Sequence, residues 1–404
     1  MAASNSGLQS DTDVVCSHKG FFGRIASFAS PATVFWLMLW FGINSGPWVF
    51  QAKPEGMIEW GHYARTLFPL LALPLATLAI MAHPLRSRLP STVSPWLVYG
   101  MIGLGTSFAS PDPLGAAYWA LCYLAVIAAL WYYLTGTRPL DRAVELNQLT
   151  WLITTAFLLA LLAVAREQLV EHISASGSGY GVYGQVKTAA GAGVSRASGM
   201  ARFLAVPGIV AFVRSFSSRG LARVWWGLVA AGCGVLLMAM QSRGAMVAYV
   251  FAVLFAMIVL RPTTRVLGAL LIALMGLTLA LQFTQETLPD DSYVRKAAEY
   301  FRRGQSEDDL YSMTGRVRDW KTAWGLIKDS PVWGYGFQAD RHLIGQHVHN
   351  TYLYALLTAG ILGTVPFLYG LGRAWLALVR VLKGSRNVQH AFVVQVGAIL
   401  AFFT

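Results

Sequence analysis

The stretch YGFQADRHLIGQHVHNTYLYALLTAGILG, from Tyr335 to Gly363, decides the fold of the chain. It places a polar loop that carries histidines directly before an apolar run long enough to cross a membrane as a helix. Asparagine is a preferred first residue of a helix, because its side chain accepts a backbone N–H that would otherwise be unpaired. We therefore expect the helix to start at Asn350, with His349 beside its first turn.

His349 is the candidate general base of this stretch. The positive end of a helix dipole disfavours a protonated imidazole, so a histidine beside the helix start is expected to stay neutral, as a base requires. Asn350 is followed by nine residues and then by Gly360 and Gly363, which we expect to lie on one face of the helix and to let another helix approach closely. The alternative for this pattern alone is an ordinary helix start with a solvated histidine.

The composition predicts an integral membrane protein. Of the 404 residues, 55% are hydrophobic and only 12% are charged, which is about half the charged fraction of a soluble domain. Several apolar runs approach or exceed the roughly 20 residues that a transmembrane helix needs. The predicted fold class is therefore all-α, a polytopic transmembrane helix bundle of about 11–12 spans, with a long helical segment between spans 9 and 10.

The apolar runs divide the chain into a tail, 1–31, nine spans within 32–284, an outside loop, 285–349, and C-terminal spans within 350–404. The predicted spans are 32–50, 66–82, 94–109, 114–134, 148–165, 201–216, 222–240, 245–260, 266–284 and 350–372. A further apolar run begins near Val388 and stops at Thr404. It is short for a span, so we expect a complete version of the chain to continue.

The basic residues predict the orientation of the bundle. With a cytoplasmic N-terminus, the short inside loops are uniformly basic, as the positive-inside rule requires. Those residues are Lys19, Arg24, Arg86, Arg88, Arg138, Arg142, Arg214, Arg219, Arg223, Arg261, Arg265, Arg373, Arg380, Lys383 and Arg386. The net charge of +12 is therefore a topology signal, and nucleic-acid binding is not inferred from it.

Two outside segments carry isolated arginines. Segment 166–202 runs into the next span as SRASGMARFLAVPG and holds Arg196, while a tight link between two spans holds Arg243. An arginine on the face without a topological need for it usually has an anionic partner. The alternatives are a snorkelling arginine that meets lipid phosphate at Arg243 and a solvated loop residue at Arg196. With His349, the two arginines predict a cationic pocket on the outer face that suits a diphosphate.

The outside loop 285–349 is expected to contain a short helix near 292–303 and a second helix that Pro331 closes. The second helix has an apolar stripe, which predicts that it lies flat on the membrane surface or on the bundle. The stripe is formed by Met313, Val317, Trp320, Trp324 and Ile327. Between the two helices, Glu307, Asp308 and Asp309 are the one candidate set of metal ligands, and a solvated acidic link is the alternative.

Other kinds of site are not indicated. The chain has no GxxxxGK[ST] loop, no HExxH and no CxxC pair. We expect all 19 Asp and Glu residues to fall in tails or loops, whereas an ion-coupled transporter usually places ionisable groups near the bilayer midplane.

These motifs together resemble the O-antigen ligase family, whose superfamily also includes O-antigen polymerases and protein O-oligosaccharyltransferases. The family motif His-Asn, nine residues, Gly-x-x-Gly is complete from His349 to Gly363. SRASG and Ser242-Arg243-Gly244 resemble the two arginine motifs of the family, although Pro207-Gly208 stands where Pro-Asn is often found. TGRVRDWKTAWGLIKDSPVWGYG resembles the segment before the histidine. The supporting residues by this resemblance are Asn350, Arg316, Arg318, Trp320, Gly360 and Gly363.

The resemblance implies a GT-C-like glycosyltransferase in the inner membrane of a Gram-negative bacterium, with its site on the periplasmic face. The implied donor is O-antigen polysaccharide on undecaprenyl diphosphate, and the implied acceptor is a sugar hydroxyl of lipid A–core, which completes lipopolysaccharide. His349 would be the general base, and Arg196 and Arg243 would bind the diphosphate without a metal or cofactor. Direct displacement would invert the anomeric centre. Membrane lipids are the other expected partners, and no nucleic acid is expected.

Three alternatives remain for the function. Within the superfamily, a polymerase joins two undecaprenyl-linked glycans, and a protein transferase uses a serine, threonine or tyrosine hydroxyl. A lipid-linked oligosaccharide flippase would perform no chemistry, but it needs a polar route through the bilayer, and the polar residues here cluster on one face.

Overall fold

The computed structural model describes residues 36–40, 57–82, 89–135, 139–164, 185–187, 193–240, 242–260, 265–281, 316–384 and 389–404. Residues 36–40 are helical. The helices that follow are α1 (Met57–Met81), α2 (Ser94–Gly105), α3 (Pro113–Leu134), α4 (Pro139–Val164), α5 (Ala197–Ser217), α6 (Leu221–Ala239), α7 (Arg243–Val259), α8 (Arg265–Leu281), α9 (Arg316–Asp329), α10 (Ala339–Leu343), α11 (Thr351–Gly384) and α12 (Gln389–Phe403).

The predicted all-α polytopic bundle is confirmed. Within the described residues, five helices are long and apolar enough to cross a membrane, and they fall at Pro113–Leu134, Asp141–Ala160, Gly199–Ser217, Leu221–Ala239 and Thr351–Lys383. Shorter apolar helices occupy Thr66–Met81, Arg243–Val259 and Ala391–Phe403. The total of about 11–12 spans stays a prediction, because most of the first span, 32–50, lies outside the described residues.

One element departs from the helical pattern. Strands β1 (Gln185–Lys187) and β2 (Gly193–Arg196) pair antiparallel, with Gln185 opposite Arg196, and β2 leads directly into α5. The sequence did not predict this hairpin, because a Gly/Ser/Ala-rich segment carries little strand signal. The hairpin fixes the backbone of the first arginine motif immediately before a transmembrane helix.

The larger hydrophobic core lies among α4–α8 and α12, with Phe212, Met246 and Tyr249 fully buried. Helix α5 lies deepest in this core, since its apolar stretch is 78% buried. Burial on all sides is expected of a central helix in a bundle. Helix α5 therefore links the membrane core to the segment that carries Arg196.

A second core attaches the polar segment before α11 to the bundle. Phe337 packs among Tyr99, Ala120 and Ala355, and its ring lies against Gly103, where a larger residue would collide with it. Aromatic rings bury a large area and so anchor a loop strongly. This anchor places residues 338–350 on the end of α2, α3 and α11.

Helix α11 is broken at Gly360, which differs from the continuous helix expected from the sequence. Gly360 has φ +57° and ψ −164°, a conformation that only glycine adopts without strain. The backbone N–H groups of Ile361 and Leu362 donate to the carbonyls of Pro331 and Val332 at 2.8 and 3.3 Å. The segment 331–336 therefore docks into the break and replaces hydrogen bonds that the helix loses.

The two motif glycines meet different neighbours, which corrects the expectation of one shared face. A side chain at Gly360 would collide with the backbone of Val332 and Trp333, whereas Gly363 faces Tyr99 and Ile102 of α2. The helix changes direction at Gly360. Residues three apart across this break, such as Gly360 and Gly363, therefore no longer face the same side.

Helix α9 packs on α11, as the expected apolar stripe suggests, but its buried face is different. Ile327 is buried with Asp319 and Ala323, while Trp324 is 49% exposed. The stripe assignment was wrong at Trp324, because the buried face holds a carboxylate that a hydropathy pattern cannot recognise. Helix α9 ends at Asp329, two residues before Pro331, as predicted.

Candidate functional site

The start of α11 is built as the sequence predicts. The side-chain oxygen of Asn350 accepts the backbone N–H of Tyr352 at 3.0 Å and that of Leu353 at 3.1 Å. Asn350 is therefore the N-cap, which satisfies two of the free donors at the helix start. His349 immediately precedes this cap and is exposed on the loop.

His349 has an unusual backbone and a second histidine as its partner. Its φ is +51°, in the left-handed region that residues with a side chain seldom occupy. Its backbone N–H donates to Nδ1 of His347 at 2.8 Å, and the two rings lie 4.8 Å apart. Strained backbone of this kind often marks a functional site.

The site is electrostatically positive and keeps His349 neutral. Partial burial and nearby cationic side chains lower the pKa of His349 to about 4. After burial, the groups that lower this pKa are, in decreasing order, His347, Arg316, Arg341 and Arg202. The predicted neutral state therefore agrees with the structure, although its causes are burial and the surrounding charges and not the helix dipole.

Asp340 is the buried acid of this loop, and no pattern in the sequence marks it. Its side chain is fully buried, and burial raises the pKa of its carboxyl group. Its two oxygens accept the backbone N–H groups of Val348 and Arg341, each at 3.0 Å. Nε2 of His347 lies 3.9 Å from Oδ2 of Asp340. A period-based sequence pattern could not find this contact, because the two residues meet through the turn at 344–348.

Helix α9 fixes the other side of the loop. The indole N–H of Trp320 donates to the carbonyl oxygen of Val348 at 2.8 Å. Arg316, at the start of α9, acts electrostatically on both histidines. Arg318 points elsewhere: its side chain is 81% exposed and lies 3.8 Å from Asp319. The structure thus separates two arginines that the sequence could not distinguish.

The two arginines predicted to bind diphosphate begin helices that run in the same direction. Arg196 ends β2 directly before α5, and only its backbone is described. Arg243 is half-buried and is the first residue of α7. Helices α5 and α7 pack together, and α6 connects their opposite ends, so both arginines lie at one end of the bundle.

Arg202 identifies this end as that of the histidine loop. It lies in the first two turns of α5 and lowers the pKa of both His347 and His349. That the guanidinium groups of Arg196 and Arg243 reach the pocket stays a prediction.

Metal ligands are not grouped in the described part of the chain. There, no three His, Cys, Asp or Glu side chains are arranged to hold a metal ion. Glu307, Asp308 and Asp309 lie outside the described residues, as does the short helix expected near 292–303.

Part of the chain is similar to a family of known proteins. A search of curated proteins finds no significant similarity. Residues 226–368, however, match the family model described as O-antigen ligase. The matched range contains Arg243, Arg316, His349 and Gly360, and it ends within α11. Over these residues the chain is similar to the O-antigen ligase family, the multi-pass helical bundle is consistent with that similarity, and the family suggests a glycosyl-transferring enzyme in general.

Proposed function

We propose that the protein is an O-antigen ligase that transfers O-antigen polysaccharide from undecaprenyl diphosphate to a sugar hydroxyl of lipid A–core. The observation that carries this proposal is a neutral, exposed His349 among arginines at the start of α11. The match to the O-antigen ligase family supports the same reaction class.

His349 acts as the general base in this proposal. Its imidazole takes the proton of the acceptor hydroxyl while the oxygen attacks the anomeric carbon of the donor. The bond from that carbon to the diphosphate oxygen breaks, and both electrons leave with the diphosphate. Such assistance is typically worth about 100- to 10,000-fold in rate. A direct displacement inverts the anomeric centre, so the product has the opposite configuration to the donor.

The arginines supply the charge that the leaving group requires. Arg196 and Arg243 bind the diphosphate and stabilise the charge that grows on it in the transition state. Guanidinium groups match phosphate oxygens in pairs, which suits this task. Diphosphate is a good leaving group, so this mechanism assigns no step to a metal or a cofactor.

Donor binding also tunes the base. A pKa near 4 keeps His349 neutral but makes it a weak proton acceptor. The negative charge of a bound diphosphate opposes the field of Arg202, Arg316 and Arg341, and so raises the pKa of His349. The histidine thus becomes a stronger base only when the donor is present.

The proposed setting is the Gram-negative inner membrane, with a GT-C-like bundle and its site on the periplasmic face. The basic inside loops support this orientation, with residues 1–31 as a cytoplasmic tail and 285–349 as a periplasmic segment. Helix α9 and the loop before α11 would then cover the outer end of the bundle, where both lipid-linked substrates present their sugars.

Purified protein in proteoliposomes tests the choice of acceptor. The donor is undecaprenyl-diphosphate glycan. Lipid A–core, further donor or a protein acceptor is offered in separate reactions, each run with and without EDTA. We expect slower-migrating lipopolysaccharide with lipid A–core alone. Longer undecaprenyl-linked chains would make the protein a polymerase, and glycosylated protein would make it a protein transferase.

Two further outcomes would contradict the mechanism. Product that disappears with EDTA would direct attention to Glu307, Asp308 and Asp309 as metal ligands. Movement of the donor across the bilayer without transfer, unchanged in His349→Ala, would establish the flippase alternative.

A further inference from the structure

His347 contacts His349 through the backbone and has no role in the function proposed above. Its Nδ1 accepts the backbone N–H of His349, two residues later, at 2.8 Å. This is the connection that an asparagine or aspartate side chain makes in an Asx turn, in which a side-chain acceptor closes a loop onto the N–H two residues on. Here an imidazole nitrogen takes the place of the side-chain oxygen.

The turn holds His349 in a conformation that it would not otherwise favour. A φ of +51° is disfavoured by the contact between Cβ and the backbone, so contacts with the surrounding residues must offset this cost in conformational free energy. The hydrogen bond from His349 to His347 and the cap at Asn350 act on the two sides of this one residue. Together they fix the direction in which the His349 ring leaves the backbone.

The ring of His347 is itself held on its other faces. It stacks on the ring of Tyr354, with 5.5 Å between the ring centroids and an angle of 16° between the ring planes. Its Nε2 faces the buried carboxyl group of Asp340 at 3.9 Å. Because Nδ1 accepts a hydrogen bond, the neutral ring carries its proton on Nε2. Stacking on Tyr354 therefore restrains the plane of the ring, and Asp340 lies beside its Nε2 edge.

The charges around His347 favour the neutral ring that this bond requires. Protonation of Nδ1 would remove the acceptor and break the turn. Burial is the largest cause that lowers the pKa of His347 to about 4, followed by the positive charges of Arg341, Arg202 and Arg316. Asp340 faces the same ring, but its carboxyl group already accepts two backbone N–H groups.

We propose that His347 is a positioning residue, which orients the proposed base His349 through an Asx-like turn that Asp340 and Tyr354 align. This inference rests on the proposed function only for its effect on turnover. The orientation of His349 can be measured independently of any glycan transfer.

Three substitutions test the contacts of Nδ1 and Nε2 of His347 separately. In His347→Asn, Oδ1 occupies nearly the position of Nδ1 and can accept the N–H of His349, but the contact with Asp340 is lost. In His347→Gln, the amide reaches the position of Nε2 near Asp340, but the acceptor for His349 is lost. His347→Ala loses both. His342→Asn serves as a matched control, because His342 is an exposed histidine of the same segment that pairs with Asp112 at 3.7 Å.

The rate of turnover should depend on whether the variant can still form the Asx-like turn. We expect His347→Asn to keep kcat within about threefold of the wild type, and His347→Gln and His347→Ala to lose about 10- to 100-fold, with little change in KM for the donor. His342→Asn should match the wild type. Equal losses in the asparagine and glutamine variants, or a loss in KM alone, would overturn the positioning role.

A chemical label reads the orientation of His349 without turnover. Diethyl pyrocarbonate modifies accessible neutral imidazole, and peptide mass spectrometry gives the rate at His349 alone at pH 7. We expect the wild type and His347→Asn to react at the same rate, and the glutamine and alanine variants to differ from them at least threefold. The same rate in all four proteins would overturn the proposal. An absence of transfer in the wild type, by contrast, would affect only the proposed function and leave the labelling result to decide.

Discussion

A histidine surrounded by arginines must have a different pKa before and after an anion binds beside it. In the free protein, burial and the neighbouring charges lower the pKa of His349 to about 4. The rate constant kcat/KM reports ionisations of the free enzyme, and kcat reports those of the complex. A lowered pKa means that the neutral base is fully present above the pKa and is lost as the pH falls through it. The values of kcat/KM and kcat should therefore fall in different acidic pH ranges.

We predict that the acid limb of kcat/KM for the donor lies near pH 4 and that the limb of kcat lies at higher pH. In Arg316→Gln, one positive charge near His349 is removed, so the kcat/KM limb should move to higher pH. Arg318→Gln is the matched control, because its exposed side chain is not among the groups that lower the His349 pKa. Rate–pH profiles for the three proteins check this. If the acid limb moves equally in both variants, Arg316 does not lower the pKa of His349 more than Arg318 does.

At the residue scale, the sequence predicted what depends on local structure. The cap at Asn350 follows from the chain around a helix start. His349 was predicted to be neutral for the same local reason, but in the structure burial and the surrounding charges lower its pKa. The roles of Asp340 and His347 could not be predicted, because they depend on how the turn at 344–348 folds back. The electrostatic role of Arg316 depends on where α9 packs, which no spacing in the sequence specifies.

At the element scale, α11 shows why the two motif glycines are separated. Four backbone hydrogen bonds join the segment 331–336 to the chain on both sides of Gly360. Tyr335 and Gly336 donate to the carbonyls of Leu357 and Thr358, each at 2.8 Å, before the break. The break thus ties the end of α9 and the anchor residue Phe337 to the transmembrane helix. The approximate positions of the apolar helices were predictable from hydropathy, but this break requires a backbone angle that hydropathy does not contain.

Substitution of Gly360 should therefore be far more damaging than substitution of another glycine in the same helix. In Gly360→Ala, the new side chain meets the backbone of Val332 at a positive φ, and we expect a loss of at least about 1–3 kcal/mol in the free energy of unfolding. Gly372→Ala is the control, because nothing lies within 4 Å of its added side chain. An alanine there should be neutral or stabilising by about 0.5–1 kcal/mol. Thermal unfolding in detergent measures both, and equal midpoints would contradict a structural break at Gly360.

At the scale of the whole molecule, the bundle brings the candidate site residues to one end. Arg202, the loop before α11 and the start of α9 meet there, and the starts of α5 and α7 bring Arg196 and Arg243 to the same end. The sequence predicted the helical class and the positions of the apolar helices, because both depend on composition and run length. It could not give the packing order, in which α5 is the central helix.

The orientation of this end is a prediction that labelling can check. The native cysteines Cys16, Cys122 and Cys233 are first replaced, and single cysteines are introduced as Lys321→Cys in α9 and Arg219→Cys between α5 and α6. Both positions are exposed. In intact spheroplasts, a membrane-impermeant maleimide should label the first variant, and the second only after lysis. The reverse pattern would place the histidine loop in the cytoplasm.

The most direct test of the central claim compares the wild type with His349→Ala in two measurements on the same preparations. The first is the affinity for undecaprenyl-diphosphate glycan, and the second is the rate of its transfer to lipid A–core. If His349 is the base and arginines hold the diphosphate, the variant binds the donor with nearly unchanged affinity and transfers it at least about 100-fold more slowly. A variant that transfers at the wild-type rate would contradict the account, whatever its affinity for the donor.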